Sequence, residues 1–291
     1  MLATQTELKQ VGTLPGIAAS ALCPFRIPVQ YNHHRLHLIC RSAAGVALTR
    51  AQMINDITDI SITLVTSKGV VKILDHMTTT EILALMNDYP DLSLDNTFTE
   101  AGDLCIPFVR PRRVRIPDET LALGMADVQS FTVDIQLTAG LATLASMQIV
   151  PEVDKGPLRP LGGHCEWRLE QRAWAAVAVE QYLEVPKEKG VGLLATHIGL
   201  GTAPGVIGDF SAQFDDLVSY DQCLASLNNK VLHSKQLTPN VGFWHADYCR
   251  NRVPLFMDKV KSSIYRINWT TAPVAYRMIH EIVAGMNDKN E

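Results

Sequence analysis

Residues 22–138 and 163–285 carry the same order of elements twice: short apolar or alternating segments of strand character, interrupted by a well-capped helix. The stretch from Pro151 to Gly163, rich in proline and glycine, separates them. This repeat constrains the fold more than any other feature. A sheet must bury its apolar face against a second layer. Each half supplies about eight strands, the number of a jelly roll. The expected fold is therefore all-β, two tandem eight-stranded jelly rolls with short flanking helices. The domains are set at residues 1–148 (an N-terminal arm plus the first sandwich) and 149–291 (a linker plus the second).

The strand assignments rest on period-two patterns. Leu22 to Val29 is a first strand, and Pro24 and Pro28 place it at an edge or strand end, since neither can donate to a ladder. In His34 to Arg41, Leu36, Leu38 and Cys40 face one way and Arg35, His37 and Ile39 the other. Leu48 to Asp56 reads as a short helix capped by Thr49. Ile57 to Thr66 is β-branched, and Ser67-Lys68-Gly69 turns it back into Val70–Leu74. Thr78 and Glu81 form a capping box ahead of Ile82, Leu83, Leu85 and Met86, with Pro90 as the stop. Strands follow at Leu92–Phe98, Leu104–Val109 and Val128–Leu137. In the second half, Cys165–Val179 suits a strand pair or a helix, and the repeat favours strand. Gly192–Leu200, Val206–Phe214, Val241–Cys249, Ser263–Trp269 and Ala275–Val283 are strands. A second capped helix is expected over Ser219–Asn229, boxed by Ser219 and Gln222, with Leu224 and Leu227 inward.

Composition bounds the class. Hydrophobic residues make up 47% and charged residues 19%, a globular balance. The net charge of −4 gives no general attraction to nucleic acid. No run of twenty apolar residues occurs, so no membrane-spanning helix is expected, and MLATQTELKQ does not read as a signal peptide. Cys23, Cys40, Cys105, Cys165, Cys223 and Cys249 are scattered without a CxxC pair, which suits buried thiols in a reducing cytosol.

Candidate chemistry is sparse. His33, His34, His37 and Cys40 suggest metal ligands, but strand alternation sends them to opposite faces, and zinc needs convergence. His245 and Cys249 share a face, with Asp247 between them and no partner pair. Gly199–Gly205 (GLGTAPG) is glycine-rich but precedes a strand, so a turn is favoured over a phosphate loop. Arg110, Arg112, Arg113 and Arg115 form the one basic cluster, flanked by Pro111 and Pro117. It suits phosphates, lipid head groups or an acidic neighbour as readily as a solvated loop. Asp118-Glu119 and Asp215-Asp216 are carboxylate pairs that calcium, a hard cation, could bridge as a structural ion; otherwise they are solvated acids and no cofactor is expected. No GxSxG, Walker or HExxH motif occurs, and no catalytic residues are assigned.

Several segments resemble one viral family. TLPGIAASALCPFRIPVQ (13–30) is similar to the N-terminal arm and first strand of the major capsid protein of PM2-type corticoviruses. CIPFVRPRRVRIPDETLALGM (105–125), VQSFTVDIQL (128–137) and CEWRLEQRAW (165–174) resemble later segments of the same family in the same serial order. The resemblance implies two jelly rolls side by side in one subunit and three subunits per pseudo-hexagonal capsomer. It implies an icosahedral, tailless virion with an internal lipid membrane, assembled in the host cytoplasm. Neighbouring capsomers, penton proteins and minor capsid or membrane proteins would be the partners, with no direct nucleic acid contact. No catalytic residues carry over, and no calcium ligand can be matched position by position.

The competing classes are a lectin and a cupin-like enzyme on the same fold. A lectin would group aromatic residues such as Trp244, Tyr248 and Trp269 at one loop set. A cupin would gather inward histidines and a carboxylate on facing strands, and the histidines here look scattered along the chain.

Overall fold

A computed structural model of the chain describes residues 6–8, 17–88, 102–108, 122–182, 190–200, 205–234, 239, 242–249, 254–258 and 260–285. It divides into two compact units, one running to Glu166 and one beginning at Trp167. The first contains β1 (Thr6–Leu8), β2 (Leu22–Ile27), β3 (Asn32–Arg41), α1 (Arg50–Asp56), β4 (Ile57–Thr66), β5 (Gly69–Thr78), α2 (Thr79–Ile82) with a π-helical extension (Leu83–Asp88), β6 (Asp103–Pro107), β7 (Val128–Leu137) and β8 (Ser146–Asp154). Its strands lie in the orders β1-β8-β3-β6 and β2-β7-β4-β5.

The chain passes along β9 (His164–Trp174) into the second unit. There follow β10 (Val179–Tyr182), β11 (Gly192–Gly199), β12 (Val206–Phe214), β13 (Leu217–Leu224), α3 (Ala225–Ser234), β14 (Phe243–Asp247), the two-residue β15 (Leu255–Phe256), β16 (Ser263–Thr271) and β17 (Val274–Ala284). The orders are β9-β17-β11-β14, with β15 added beside β11, and β10-β16-β12-β13.

Counted within each unit, with β15 set aside, both halves have the strand orders 1-8-3-6 and 2-7-4-5. First lies beside last, second beside seventh, third beside sixth and fourth beside fifth. That is one long antiparallel hairpin wrapped into two layers, the jelly roll. The fold is thus all-β with short helices: two jelly rolls in tandem, each with the same topology.

Sequence pattern accounts for most elements. β4 begins and ends where its β-branched run predicts, and β7 where alternation predicts. In β7, Phe131, Val133, Ile135 and Leu137 are buried, and Ile60, Ile62 and Leu64 of β4 face the same core. Pro24 sits on β2, the terminal strand of its order, opposite Asp134. Thr49 and Thr78 both form complete capping boxes, with Gln52 and Glu81. Ile82, Leu83, Leu85 and Met86 are buried as the apolar stripe requires. Cys165–Val179 is not helix: it is strand to Trp174, and the next strand opens at Val179. The six cysteines are buried and carry thiols, not disulfides. Pro90 and Leu92–Phe98 lie outside the described residues.

Four expectations change. Residues within the presumed arm form β1, whose Thr6–Leu8 pair with Asp154–Glu152 of β8, so the first sandwich starts before Leu22. The 148/149 boundary falls inside β8, a strand the sequence reading does not assign, and β8 pairs along β3 from Arg41↔Ser146 to Asn32↔Asp154. Ser219–Gln222 is not a helix start. It lies in β13, where Tyr220 turns inward and its hydroxyl both donates to the Asp247 carbonyl and accepts from the Asp247 amide. The helix begins at Ala225, and Leu224 and Leu227 are exposed while Asn228 and Leu232 are buried.

The domain boundary moves for a physical reason: the presumed linker is bound to the first unit. The Asn32 side chain donates to the Pro157 carbonyl at 3.0 Å and accepts the Arg159 amide at 3.1 Å. The Asp127 carboxylate accepts the Leu161 amide at 2.6 Å, and the Ala126 amide donates to the Arg159 carbonyl. Gly124 makes room for this stretch. A Cβ there would lie 2.5 Å from the Arg159 carbonyl oxygen and 2.8 Å from the Pro160 carbonyl carbon, both rigid backbone. Gly124→Ala is therefore expected to displace residues 157–161 and expose the chain at Lys155. Timed trypsin digestion should show cleavage there in the variant at least tenfold faster than in the parent, as local opening predicts. Equal rates would mean that the segment does not depend on that contact.

Candidate functional site

The residues singled out from sequence do not converge. His33 is fully buried on β3, edge-on to Phe131, with Nε2 at 2.9 Å from the Pro28 carbonyl. Burial pushes its imidazole down to about 4, against the opposing pull of that carbonyl. The backbone of His34 accepts the Phe108 amide. His37 binds Asp103 through Nδ1 at 2.8 Å, beside an Arg35–Glu152 ion pair at 2.6 Å. Burial alone would lower its imidazole, but the hydrogen bonds to Asp103 and Glu152 prevail and hold it up at about 9. Cys40 points into the core, and burial pushes its thiol up to about 12. Among the described residues no group of three or more His, Cys, Asp or Glu side chains is arranged to hold a metal ion.

The other candidates resolve as structure. Asp215, at φ 51°, accepts the amides of Lys261 and Ser262 and the Ser262 hydroxyl. These backbone donors, Ser262 first, hold its carboxyl below the usual range. In the glycine-rich stretch the Gly205 amide donates to the Leu200 carbonyl, and a Cβ at Gly205 would sit 2.8 Å from the Trp269 ring. The two ends of the stretch are thus hydrogen-bonded and Gly205 permits close packing, while residues 201–204 lie outside the described residues. Trp244, Tyr248 and Trp269 lie in the core of the second unit with Phe210, Phe214 and Tyr265. Core packing, not a sugar subsite, accounts for them. Arg110, Arg112, Arg113, Arg115, Asp118 and Glu119 lie outside the described residues.

What sequence reading missed is a buried polar cluster in the second unit. β11 pairs with β14 on one side and β17 on the other, which sets His197 opposite His245 and Thr196 opposite His280. The Nδ1 atoms of His197 and His245 are 2.8 Å apart. His197 Nε2 faces the Glu281 carboxylate at 3.6 Å and its ring stacks on Trp167. His280 Nδ1 bonds the Thr196 hydroxyl, which also meets Tyr265. His197, His280 and Glu281 are wholly buried and His245 nearly so. The histidines are gathered, correcting the expectation of scatter, yet they are sealed from solvent. A substrate could not reach them as a cupin site would require.

One shallow cavity of about 210 Å³ lies along the β10-β16-β12-β13 layer, bordered by Val179, Asp209, Val218, Asp221 and Arg266. Its polar groups are partly committed: Asp209 accepts from Asn268 at 2.6 Å, and Ser211 accepts the Gln222 amide.

No protein-family model matches the chain, and no curated protein sequence is similar to it. Solved structures are similar in fold. The chain resembles the major capsid protein P2 from bacteriophage PM2, with 14% identity over 98% of this chain and 99% of that one, at a TM-score of 0.78. A quasi-atomic model of the PBCV-1 virus capsid is similar at 8% identity, covering 97% and 95%, with a TM-score of 0.62. A chain from Sulfolobus Turreted Icosahedral Virus is similar at 13% identity, covering 97% and 90%, with a TM-score of 0.63. The likeness is one of fold across nearly the whole of each chain, and it is the double jelly roll.

Proposed function

We propose that this protein is the major capsid protein of an icosahedral virus, a shell subunit rather than an enzyme or a lectin. The observation that carries the reading is the end-to-end match to capsid double jelly rolls, P2 of bacteriophage PM2 among them. The repeated topology gives it a physical logic. A chain with two like sandwiches, taken three times, places six similar bodies around a threefold axis, so a pseudo-hexagonal block can tile a facet under closed cyclic symmetry. Jelly rolls also leave few open strand edges, which suits a surface packed against neighbours on all sides. In this reading the homotrimer contacts neighbouring capsomers, penton and minor capsid or membrane proteins, and lies over an internal membrane. It does not bind nucleic acid, and it is assembled in the host cytoplasm into the virion.

The trimer should be obligate, with interfaces well above ~2,000 Å² in total. Sedimentation velocity after dilution to the nanomolar range is the test. The expected species has three times the 32.1 kDa chain mass. A folded monomer under those conditions would overturn the trimer.

A further inference from the structure

We propose that the first unit carries a proton-held clasp: the His37 imidazolium, set between Asp103 of β6 and Glu152 of β8, pins β6 to β3 and releases it when the ring gives up its proton. This stands on geometry and does not depend on the shell reading.

β6 is the terminal strand of the order β1-β8-β3-β6 and pairs with β3 from Arg35↔Pro107 to Ile39↔Asp103. Leu36, Leu38 and Cys40 of β3 face the core, which leaves Arg35 and His37 on the outer side of this layer. His37 stands opposite Cys105 on β6 and Val150 on β8. Its Nδ1 lies 2.8 Å from Asp103 Oδ2, and its Nε2 lies 4.0 Å from Glu152 Oε2. An ionised carboxylate only accepts, so both sides of the ring require an N–H donor. The imidazolium has two. The neutral ring has one, and it turns a lone pair toward a carboxylate on its other side.

Among the described residues, the charged and titratable groups around this ring come from all three strands. β3 contributes Arg35, whose Nε is 2.6 Å from Glu152, and His34, which also acts on Glu152. β6 contributes Asp103 and β8 contributes Glu152. Asp154 follows at the end of β8, with Arg159 3.8 Å from it. Burial would raise the Glu152 carboxyl, but His37 and then Arg35 hold it below the usual range. The carboxylates of Asp103 and Glu152 thus face Arg35 and His37 across β6, β3 and β8.

The direction follows from linkage. Burial opposes a charge on His37, yet Asp103 and Glu152 outweigh both burial and Arg35 and hold the ring up at about 9. A histidine whose folded value lies above its ordinary 6.5 stabilises fully below about 6.5, and this contribution is lost as pH rises through 9. The clasp is therefore closed at neutral pH and released in alkali. Cysteine thiols of the opened chain also ionise in alkali, so the effect of His37 is read as a difference between variant and parent at one pH.

Alkylation of Cys105, the buried thiol opposite His37, reads the opening of β6 in the full chain. In His37→Gln it should run about fivefold or more faster than in the parent at about pH 7, a figure that allows for solvent screening of a ring 15% exposed. At about pH 9.5 the two rates should agree within about twofold, because the parent has then lost the same charge. A smaller ratio at neutral pH, or one that persists undiminished in alkali, would overturn the proposal. Should the variant not fold, carbethoxylation of His37 in the parent, which requires the neutral ring, decides alone. Its rate should rise with a midpoint above about 8, and a lower midpoint would overturn the proposal.

Discussion

Replacing Glu180 with alanine is expected to cost about 3–5 kcal/mol, because it leaves two buried donors, Trp269 and Tyr276, without this acceptor and removes half of a partly exposed ion pair. Glu180 is buried on β10, and its carboxylate is fully engaged. Oε1 accepts Arg172 Nε of β9 at 3.1 Å. Oε2 accepts Trp269 Nε1 of β16 at 3.0 Å and the Tyr276 hydroxyl of β17 at 2.8 Å. β10 and β16 belong to one layer of the second unit, and β9 and β17 to the other. One side chain therefore ties both layers together. Alanine would leave a guanidinium, an indole N–H and a phenol without their acceptor, and would loosen the Trp269–Tyr276 ring contact at 5.1 Å. The melting temperature should fall by roughly 10 °C. Glu180→Gln keeps an acceptor oxygen and should lose clearly less. A calorimetric scan of both variants checks this, and a drop under about 3 °C for alanine would show that the clamp contributes little.

The first unit has a counterpart in Asp56. Its carboxylate, buried at the end of α1, accepts the amides of Ala142, Thr143 and Leu144 at 3.1, 2.9 and 2.7 Å. Its own carbonyl accepts the Thr138 amide. The link between β7 and β8 is thus wrapped around one carboxylate. Asp56→Ala removes the acceptor from three backbone donors, at about 1–3 kcal/mol for each one left buried and unpaired. A loss of about 3 kcal/mol or more in urea unfolding is expected. A change below about 1 kcal/mol would mean that water replaces the carboxylate at no cost.

The parts of this fold that were legible in the sequence are those specified locally. β-Branched content marked β4 to the residue and alternation marked β7, where Phe131, Val133, Ile135 and Leu137 are buried with polar residues between them. The capping boxes at Thr49 and Thr78 could be read because a cap requires side chains three positions apart. Failures arise where tertiary context overrides local signal. β8 carries Pro151 in mid-strand, which argues against a strand; yet Met147, Ile149, Pro151 and Val153 are all buried on one face. β1 is three residues long, too short to show any period. Ser219 and Gln222 have capping-box spacing on a bulged strand, where Gln222 adopts φ 43° and its amide binds Ser211 instead. The histidine cluster has no local spacing at all. His197, His245 and His280 meet only because β11 lies between β14 and β17, a topology that no single segment encodes.

The central claim is that each subunit contributes two like jelly rolls to a shell-building trimer. Class averages of the purified particle by electron cryomicroscopy test it most directly. The account predicts a threefold object whose view down the axis shows six lobes of similar size arranged as a near-hexagon. A two-lobed monomer, or an assembly of other symmetry such as a dimer, would contradict it.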